Sequence, residues 1–134
     1  MAADDPIDPG EVLLRRVHRN NFDASLPTPI LRCEFEPKTR DVDGLSLYRQ
    51  KILSADQLAY SGRSPGTCYV VAFTVKDLLA LGLTLVPTPG DLPGHVSIPE
   101  LSFAAFRSDK SKSKDIQRAL ALLGSRSILA IPVQ

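Results

Sequence analysis

The longest apolar stretch of the chain, residues 69–87, changes its pattern part-way along. Residues 69–73 are β-branched, aromatic or small, as in a strand that is covered on both faces. Thr74 then occupies a helix N-cap position, and Gly82 suits the position after the last turn. The pattern predicts a strand, a two-turn helix and a second short strand over residues 83–86. The connection is near the lower limit of length for a right-handed parallel crossover, so it allows parallel pairing of the two strands without requiring it.

Four other segments carry the patterns of short strands. Residues 30–36 and 45–48 alternate apolar side chains with polar or charged ones, which is the period of a half-exposed strand. A charged turn separates them, so they can be joined as an antiparallel pair. Residues 95–98 form a shorter alternating run, and residues 127–133 are largely apolar. We expect this last strand to join the sheet, because a strand needs a partner.

The N-terminal region has two interpretations. Asp8, Pro9 and Glu11 are residue types that begin a helix: a side-chain cap, a residue with fixed φ and an acidic residue in the first turn. The apolar positions of residues 13–17 follow at helical spacing. They also fit a strand that begins after a single helical turn. The sequence leaves both interpretations open.

Two more helices are predicted from their end signals. Ser54 begins a full capping box, and Gly62 stands where this short helix would end. A second helix is expected over residues 114–123, with Gly124 as its C-terminal cap, because apolar side chains recur on one face. Before it, residues 107–114 alternate serine with charged residues, and this low-complexity pattern predicts a mobile loop.

The chain of 134 residues is long enough for one hydrophobic core, and 43% of its residues are apolar. We expect a flexible tail over residues 1–8 and a single domain over residues 9–134. The predicted elements add up to an α+β fold, with a mixed sheet of about five or six short strands and about three short helices.

Composition argues against several classes of protein. A formal net charge of +1 does not suit a strongly basic nucleic-acid binder. Lys76 and Asp77 interrupt the longest apolar stretch, so it is too short for a membrane-spanning helix. The acidic N-terminus lacks the pattern of a signal peptide. We therefore expect a cytoplasmic protein with no membrane partner.

The sequence predicts no cofactor and no metal site. Cys33 and Cys68 lie in apolar, strand-like settings, which favours buried thiols in a reducing compartment. His18, His95 and the two cysteines lack the close spacing of zinc ligands. Glycine-rich loops of the kinds that cradle phosphates are absent from the sequence.

The most polar run of the chain is RRVHR, residues 15–19. Guanidinium groups hold carboxylates and phosphates in a fixed geometry, whereas the competing interpretation of such a run is a solvated surface. The candidates for binding an anion are Arg15, Arg16, Arg19 and Arg49. The weaker candidates for acid–base chemistry are His18, Tyr48 and His95.

A second group of basic residues falls around the start of the last predicted helix. Its members are Arg107, Lys110, Lys112, Lys114 and Arg118. They are candidates for a weak contact with a nucleic-acid backbone. Asp109 and Asp115 dilute their charge, and no aromatic side chain is interleaved for base stacking, which favours a solvated segment.

Four short motifs follow one another along the chain: RRVH at residues 15–18, DGLSLYR at residues 43–49, VAFT at residues 71–74 and GHVSI at residues 94–98. Together they resemble a loose group of short uncharacterised bacterial proteins. That group shares an R-R-[IV]-H start, a D-G-[LE]-S-V segment, a strand and helix ending in L-G-x-x-V-x-P-x-P, and a late histidine. The resemblance covers most of residues 11–98. It implies a bacterial, cytoplasmic origin and carries no activity.

Three functions fit these observations. The leading hypothesis is a small non-enzymatic bacterial protein that works as an interaction or accessory module, with a protein partner or a second copy of itself. The second is a small enzyme or ligand-binding domain in which Arg16, His18, Tyr48 and His95 surround one cleft. The third is the weak nucleic-acid contact. The sequence leans away from an enzyme, since no catalytic constellation is apparent in it.

Overall fold

The computed structural model describes residues 5–61 and 65–133. The strands in these ranges are β1 (Val12–His18), β2 (Leu45–Arg49), β3 (Cys68–Thr74), β4 (Val86–Pro87), β5 (His95–Ile98) and β6 (Ile128–Ala130). The α-helices there are α1 (Ala55–Ala59), α2 (Val75–Ala80), α3 (Phe103–Ser108) and α4 (Lys110–Ser125). Short 3-10 helices span Arg19–Asn21, Arg32–Phe35 and Pro99–Leu101. The predicted α+β fold is confirmed, but the sheet is antiparallel where a mixed sheet was predicted, with the strand order β4-β5-β2-β1-β3-β6.

The strand and the helix predicted from residue 69 onward are present, whereas the second strand, predicted over residues 83–86, is reduced to β4 at Val86–Pro87 and does not pair with β3. The Thr74 hydroxyl caps α2 by accepting the Asp77 N–H at 3.2 Å, and Gly82 follows the helix at φ +80°. β4 lies at the far edge of the sheet beside β5. A helix of six residues rises about 9 Å, which does not carry the chain back along a strand of about 23 Å.

Only one helical turn precedes β1. The Glu11 amide donates to the Asp8 carbonyl at 2.9 Å, and the Asp8 amide donates to Glu11 Oε2 at 2.8 Å. The longer helix is therefore wrong, and the alternative of a strand after a single turn is correct. Leu13 and Leu14 are consecutive and both 0% exposed, which a strand covered on both faces allows.

The flexible tail predicted over residues 1–8 is only partly within the described residues, since residues 1–4 lie outside them. The carbonyl oxygens of Asp5 and Pro6 accept hydrogen bonds from the buried Arg49 guanidinium. Residues 5–8 are therefore attached to the domain, because a buried guanidinium requires acceptors there.

The strand predicted over residues 30–36 is wrong, and so is its pairing with β2. A 3-10 helix occupies Arg32–Phe35, and the neighbours of β2 are β1 and β5. Prolines at positions 29 and 37 flank the segment and lack the amide hydrogen that a paired strand supplies. The 3-10 turn still buries Phe35 in the core, so the apolar alternation reflected burial and not strand geometry.

The C-terminal part is more helical than predicted. The loop predicted over residues 107–114 is wrong, because α3 ends at Ser108 and α4 begins at Lys110. Asp109 caps α4 by accepting the Lys112 N–H at 3.0 Å. Gly124 lies inside α4 and is not its cap; a Cβ there would come within 3.1 Å of Ile30. The final strand predicted over residues 127–133 is present as the shorter β6, which pairs with β3.

Apolar side chains cover both faces of the sheet, but not evenly. The buried core of one face includes Leu13, Val17, Leu47, Val71, Phe73, Val96 and Leu120. The smaller core of the other face includes Leu14, Tyr48, Leu58, Val70 and Ala72, and α1 packs on it. Ser54 and Gln57 form the predicted capping box of α1, while the predicted closure at Gly62 lies outside the described residues. On this second face, the 87–94 loop covers the part that β2 and β5 form.

The start of β2 is pressed against β5. Gly44 is buried at φ +124°, and a Cβ at this position would lie 2.0 Å from the Ile98 carbonyl oxygen. Only glycine adopts this conformation without strain and allows so close an approach. The contact holds the start of β2 against β5 next to the site described below.

Candidate functional site

A cleft opens where β1 and β2 separate. The two strands pair only at Leu13 with Arg49 and at Leu14 with Tyr48, whereas β1 pairs with β3 along its whole length. Beyond Leu14, β1 therefore diverges from β2 and leaves a volume of about 690 Å³, which we call the main cleft. Its lining includes Arg15, Arg16, His18, Cys33, Glu34, Lys38, Arg40, Ser46, Tyr48, Cys68 and Asp91.

Arg15 and Glu34 close one side of the main cleft. Arg15 donates from Nε to Glu34 Oε2 at 3.0 Å and from Nη1 to the Ser46 carbonyl at 2.8 Å. Glu34 also accepts the His18 N–H and the Asn21 side-chain amide. Arg15 thus links β1 to β2 where their backbone pairing has ended. Its donors are engaged within the protein, so it is a structural link before it is an anion site.

Arg16, Tyr48 and His95 come together on the second face of the sheet. Tyr48 pairs with Leu14 on one side and with His95 on the other, and alternation places Arg16 on the same face. The Tyr48 and His95 rings meet edge to face with centroids 5.4 Å apart. The Arg16 guanidinium lies 5.5 Å from the Tyr48 ring centroid. Three of the four residues of the second hypothesis are therefore neighbours; His18 lines the main cleft with Arg16 and Tyr48, whereas His95 is not in its lining.

Asp91, on the 87–94 loop, is held by Arg16 and Tyr48. The Tyr48 hydroxyl donates to Asp91 Oδ1 at 2.5 Å, and Arg16 Nη2 donates to Oδ2 at 3.2 Å. Arg16 Nη1 donates to Ser61 Oγ at 2.7 Å. Tyr48 is 4% exposed, whereas the Asp91 side chain is 59% exposed. Two packed donors thus bind both oxygens of a carboxylate that reaches them from a surface loop.

Burial and the hydrogen bonds at this contact shift the pKa values of Tyr48 and Asp91. Burial, followed by the hydrogen bond to Asp91, raises the pKa of Tyr48 to about 12. Partial burial by itself would raise the pKa of Asp91, but the hydrogen bonds from Tyr48 and Arg16 outweigh it and hold that pKa below its ordinary value. Near neutral pH the contact therefore joins a neutral phenol, a guanidinium and a carboxylate.

Both ring nitrogens of His95 contact hydroxyl groups. Nε2 lies 2.8 Å from Ser46 Oγ, and Nδ1 lies 2.9 Å from Thr88 Oγ1. Thr88 Oγ1 lies 2.7 Å from Ser97 Oγ, which extends the chain of polar contacts. The backbone of the 87–94 loop rests on the imidazole, since a Cβ at Gly90 would lie 2.4 Å from His95 Cγ. A second volume of about 240 Å³, the small hollow, adjoins Ser46, Gly90 and His95.

The other sequence candidates lie elsewhere. Arg19 is exposed on the 3-10 turn after β1, and Arg49 is buried against Glu11 on the opposite side of the sheet. Arg107 and Lys110 lie over the rings of Phe103 and Phe106, each at 5.9 Å from the centroid. Lys112, Lys114 and Arg118 are on α4, where Arg118 pairs with Asp115 at 2.9 Å. Arg15, Arg16 and His18 of the arginine run therefore line the main cleft, whereas Arg19, Arg49 and the basic segment do not.

Sequence reasoning missed four polar residues of the site: Ser46, Thr88, Asp91 and Ser97. Ser46 and Ser97 are directly paired across β2 and β5, and alternation along β5 was the signal that placed Ser97 beside His95. Thr88 and Asp91 lie in a segment rich in proline and glycine, and such a pattern predicts a turn without saying what the turn contacts.

Two cysteines line the main cleft. Within residues 5–61 and 65–133, no group of three or more histidine, cysteine or acidic side chains is placed to hold a metal ion. Cys33 and Cys68 are free and half-buried, and Cys33 is on a 3-10 helix where a strand was predicted.

In the same described part of the chain, no helix has the length and apolar character needed to cross a membrane.

Comparison with known proteins adds no family to this geometry. No protein-family model, no curated protein and no solved structure matches the chain. The resemblance of its short motifs to a group of bacterial proteins therefore stays a prediction, and the function is argued from the site.

Proposed function

We propose that the protein binds a small anionic ligand, one that bears a carboxylate or phosphate group, in the main cleft. This proposal rests on the hydrogen bonds that Arg16 and Tyr48 donate to the Asp91 carboxylate. Donors from two adjacent strands hold both oxygens of one anion, which is the geometry by which arginine-containing sites recognise carboxylates and phosphates. Asp91 thus marks the position that a ligand anion would take.

Asp91 is suited to being displaced. Its side chain is 59% exposed on a loop, while Arg16 is 24% exposed and Tyr48 is 4% exposed. An exposed ion pair contributes only about 0–1 kcal/mol to stability. A ligand that makes the same two contacts and further ones in the cleft can therefore replace Asp91 at small cost.

Further positive charge lines the main cleft. Lys38 and Arg40 are exposed there beside Glu36 and Asp41. Glu36 is paired with Arg32, and Asp41 accepts the Lys38 N–H. Within the described residues neither the Lys38 nor the Arg40 side chain has an ion-pair partner. The cleft volume of about 690 Å³ falls within the range of about 300–1,000 Å³ usual for small-molecule sites. A second anionic group on the ligand would meet Lys38 and Arg40, which favours a dicarboxylate or a phosphorylated small molecule.

The test is a titration of the ¹⁵N-labelled protein with citrate and, separately, with inorganic phosphate, followed by amide chemical shifts. We expect saturable shifts around Arg16, Tyr48 and Asp91, and an affinity about tenfold weaker for Arg16→Met because a charged hydrogen-bond donor is lost. Arg118→Met is the matched control, since Arg118 is an exposed arginine on α4. It should bind as the unmodified protein does.

The variant Asp91→Asn distinguishes binding of an anion at the Asp91 position from nonspecific attraction of anions to the protein surface. It removes the internal competitor and should strengthen citrate binding, whereas a lost negative charge on an unrelated surface, as in Asp115→Asn, should have no such effect. The anion site would be rejected if Arg16→Met and Arg118→Met lost the same amount of anion affinity. Amide chemical shifts that do not saturate with added anion would also reject it.

A second candidate, contact with another protein, is favoured by the free edge of the sheet. β6 is an edge strand, and Leu129, Ile131 and Val133 on and after it are 45%, 71% and 58% exposed. Edge strands with apolar side chains pair readily with a strand of another chain. Pairing with a second copy of this chain should appear as a dimer in sedimentation experiments that Leu129→Lys abolishes. A monomeric unmodified protein at high concentration would reject self-association.

A further inference from the structure

A hydroxyl and an imidazole meet where the main cleft joins the small hollow. Ser46 is half-buried, lines both volumes, and places its Oγ 2.8 Å from His95 Nε2. This distance is that of a nucleophile and its general base. Ser46 is on β2 and His95 is diagonally across from it on β5, since Ser46 pairs with Ser97 and Tyr48 pairs with His95, so both are on regular strands.

The second nitrogen of His95 is positioned by Thr88. When Nδ1 carries the proton, it donates to Thr88 Oγ1 at 2.9 Å, and the Thr88 hydroxyl is free to donate to Ser97 Oγ at 2.7 Å. In that tautomer Nε2 has a lone pair that accepts the Ser46 proton. The opposite tautomer satisfies the same contacts but leaves Nε2 as a donor. Orientation of a base by a third group is the arrangement of hydrolytic triads, here with a neutral hydroxyl in place of a carboxylate.

The geometry points to Ser46 as a nucleophile that His95 activates, in a site that hydrolyses esters bearing an anionic group. The anionic group follows from the proposed function, on which the choice of substrate rests: Arg16, Lys38 and Arg40 line the same cleft as Ser46. Thr88 is a positioning residue, because it acts through His95. Arg40 also lines the small hollow, together with Asp41 and Asp43, so the positive charge that favours an anionic substrate lies on the main-cleft side of Ser46.

The chemical step balances within these groups and water. Ser46 Oγ bonds to the ester carbonyl carbon while its proton passes to His95 Nε2. The tetrahedral intermediate then breaks the bond to the leaving oxygen, which takes the proton from His95 and departs as an alcohol. Water, deprotonated by His95, attacks the acyl-serine in the same way. The products are a carboxylic acid and the restored Ser46 hydroxyl, and no oxidant or metal is consumed.

The test uses the mono-p-nitrophenyl ester of succinic acid as an anionic probe and p-nitrophenyl acetate as a neutral one. Release of p-nitrophenolate gives the rate, and peptide mapping by mass spectrometry locates the acyl group. We expect the acyl group on Ser46, and a rate about 100-fold lower in Ser46→Ala and His95→Gln. Ser25→Ala is the control, since Ser25 is exposed and lines neither the main cleft nor the small hollow, and it should match the unmodified protein.

Thr88 distinguishes a positioning role from general loss of structure. Thr88→Ser keeps the hydroxyl and should keep the rate, whereas Thr88→Val removes it and should lower kcat about tenfold with little change in KM. Both variants keep the backbone hydrogen bond from the Thr88 amide to the His95 carbonyl, so a difference between them reports on the hydroxyl.

The outcomes separate this inference from the proposed function. If Ser46→Ala releases p-nitrophenolate as fast as the unmodified protein, or the acyl group maps to another residue, the nucleophile is rejected. Citrate binding in Ser46→Ala should persist, so the anion site stands when acylation alone fails. If Ser46 is acylated by the neutral ester while citrate does not bind, the nucleophile stands and the anionic substrate is rejected.

Discussion

Arg49 and Glu11 form an ion pair that is closed to solvent. Nε of Arg49 lies 2.8 Å from Oε1 of Glu11, and Nη2 lies 2.7 Å from Oε2. The two side chains are 1% and 0% exposed. Arg49 also donates to the carbonyls of Asp5 and Pro6, so the pair attaches the N-terminal segment to β2. A residue predicted as an anion site is therefore bound to an anion within the protein.

Removing one partner of this pair should destabilise the protein strongly. Glu11→Ala leaves the Arg49 guanidinium buried without its carboxylate, and we expect the free energy of unfolding to fall by about 3–5 kcal/mol. Urea denaturation followed by circular dichroism measures the change. Asp115→Ala, which breaks the exposed pair with Arg118, should cost at most about 1 kcal/mol. Equal losses in the two variants would contradict the assignment.

The same pair should make stability depend on acid. Burial by itself raises the pKa of Glu11, but the hydrogen bonds and charge of Arg49 and the Asp8 amide outweigh it, so the pKa lies below the ordinary 4.5. A lowered pKa gives stability that is present above pH 4.5 and is lost as the pH falls through the folded-state pKa. As the pH falls from 4.5 through the folded-state pKa of Glu11, the free energy of unfolding of the unmodified protein should therefore approach that of Glu11→Gln. A constant difference would refute the linkage.

Gly90 should be required for the closed 87–94 loop. A Cβ at this position would lie 2.4 Å from His95 Cγ, so Gly90→Ala should move the loop or the imidazole. NMR shifts of His95 and Tyr48 should change in this variant. Gly82→Ala is the control, because it strains a positive φ by about 1 kcal/mol while a Cβ there meets no atom within 4 Å. His95 shifts that are alike in both variants would argue against the contact.

Asp91 should keep the Tyr48 phenol protonated in alkaline solution. Because burial and the Asp91 hydrogen bond raise its pKa to about 12, Tyr48 should still be a phenol at about pH 11. Asp91→Asn removes the acceptor carboxylate and leaves the Arg16 charge, so the pKa should fall, while burial of Tyr48, the largest cause of the shift, is retained. The ¹³Cζ shift of Tyr48, assigned by comparison with Tyr48→Phe, follows the titration. A pKa near 10 in the unmodified protein would contradict the geometry.

The Asp109 cap should hold the first turn of α4. Asp109→Ala removes the acceptor of the Lys112 N–H and should cost about 1 kcal/mol, with loss of helical NMR shifts at the start of α4. Ser111→Ala, at an exposed position of the same turn, should not destabilise the helix, since alanine is the better helix former. No difference between the two variants would favour the loop that the sequence predicts.

Patterns within a short stretch of sequence predicted correctly those elements whose structure depends on neighbouring residues. The apolar run at β3, the Thr74 cap and the Ser54–Gln57 capping box were all predicted and are all present. Each depends on contacts within a few residues, so its energy is encoded where it acts. The segment around Phe35 differed, because its alternation describes which side chains are buried and does not distinguish a strand from a 3-10 turn packed on α4.

Residue types of the site were visible along the chain, and their partners were not. Arg16, Tyr48 and His95 were candidates because their side chains donate, accept or carry charge whatever the fold. Ser46 and His95 are 49 residues apart and meet only because β2 pairs with β5, just as Asp91 meets Arg16 only because its loop folds back over the sheet. Strand pairing is stabilised by backbone hydrogen bonds and burial spread over many residues, so the order of the strands leaves no local mark in the sequence.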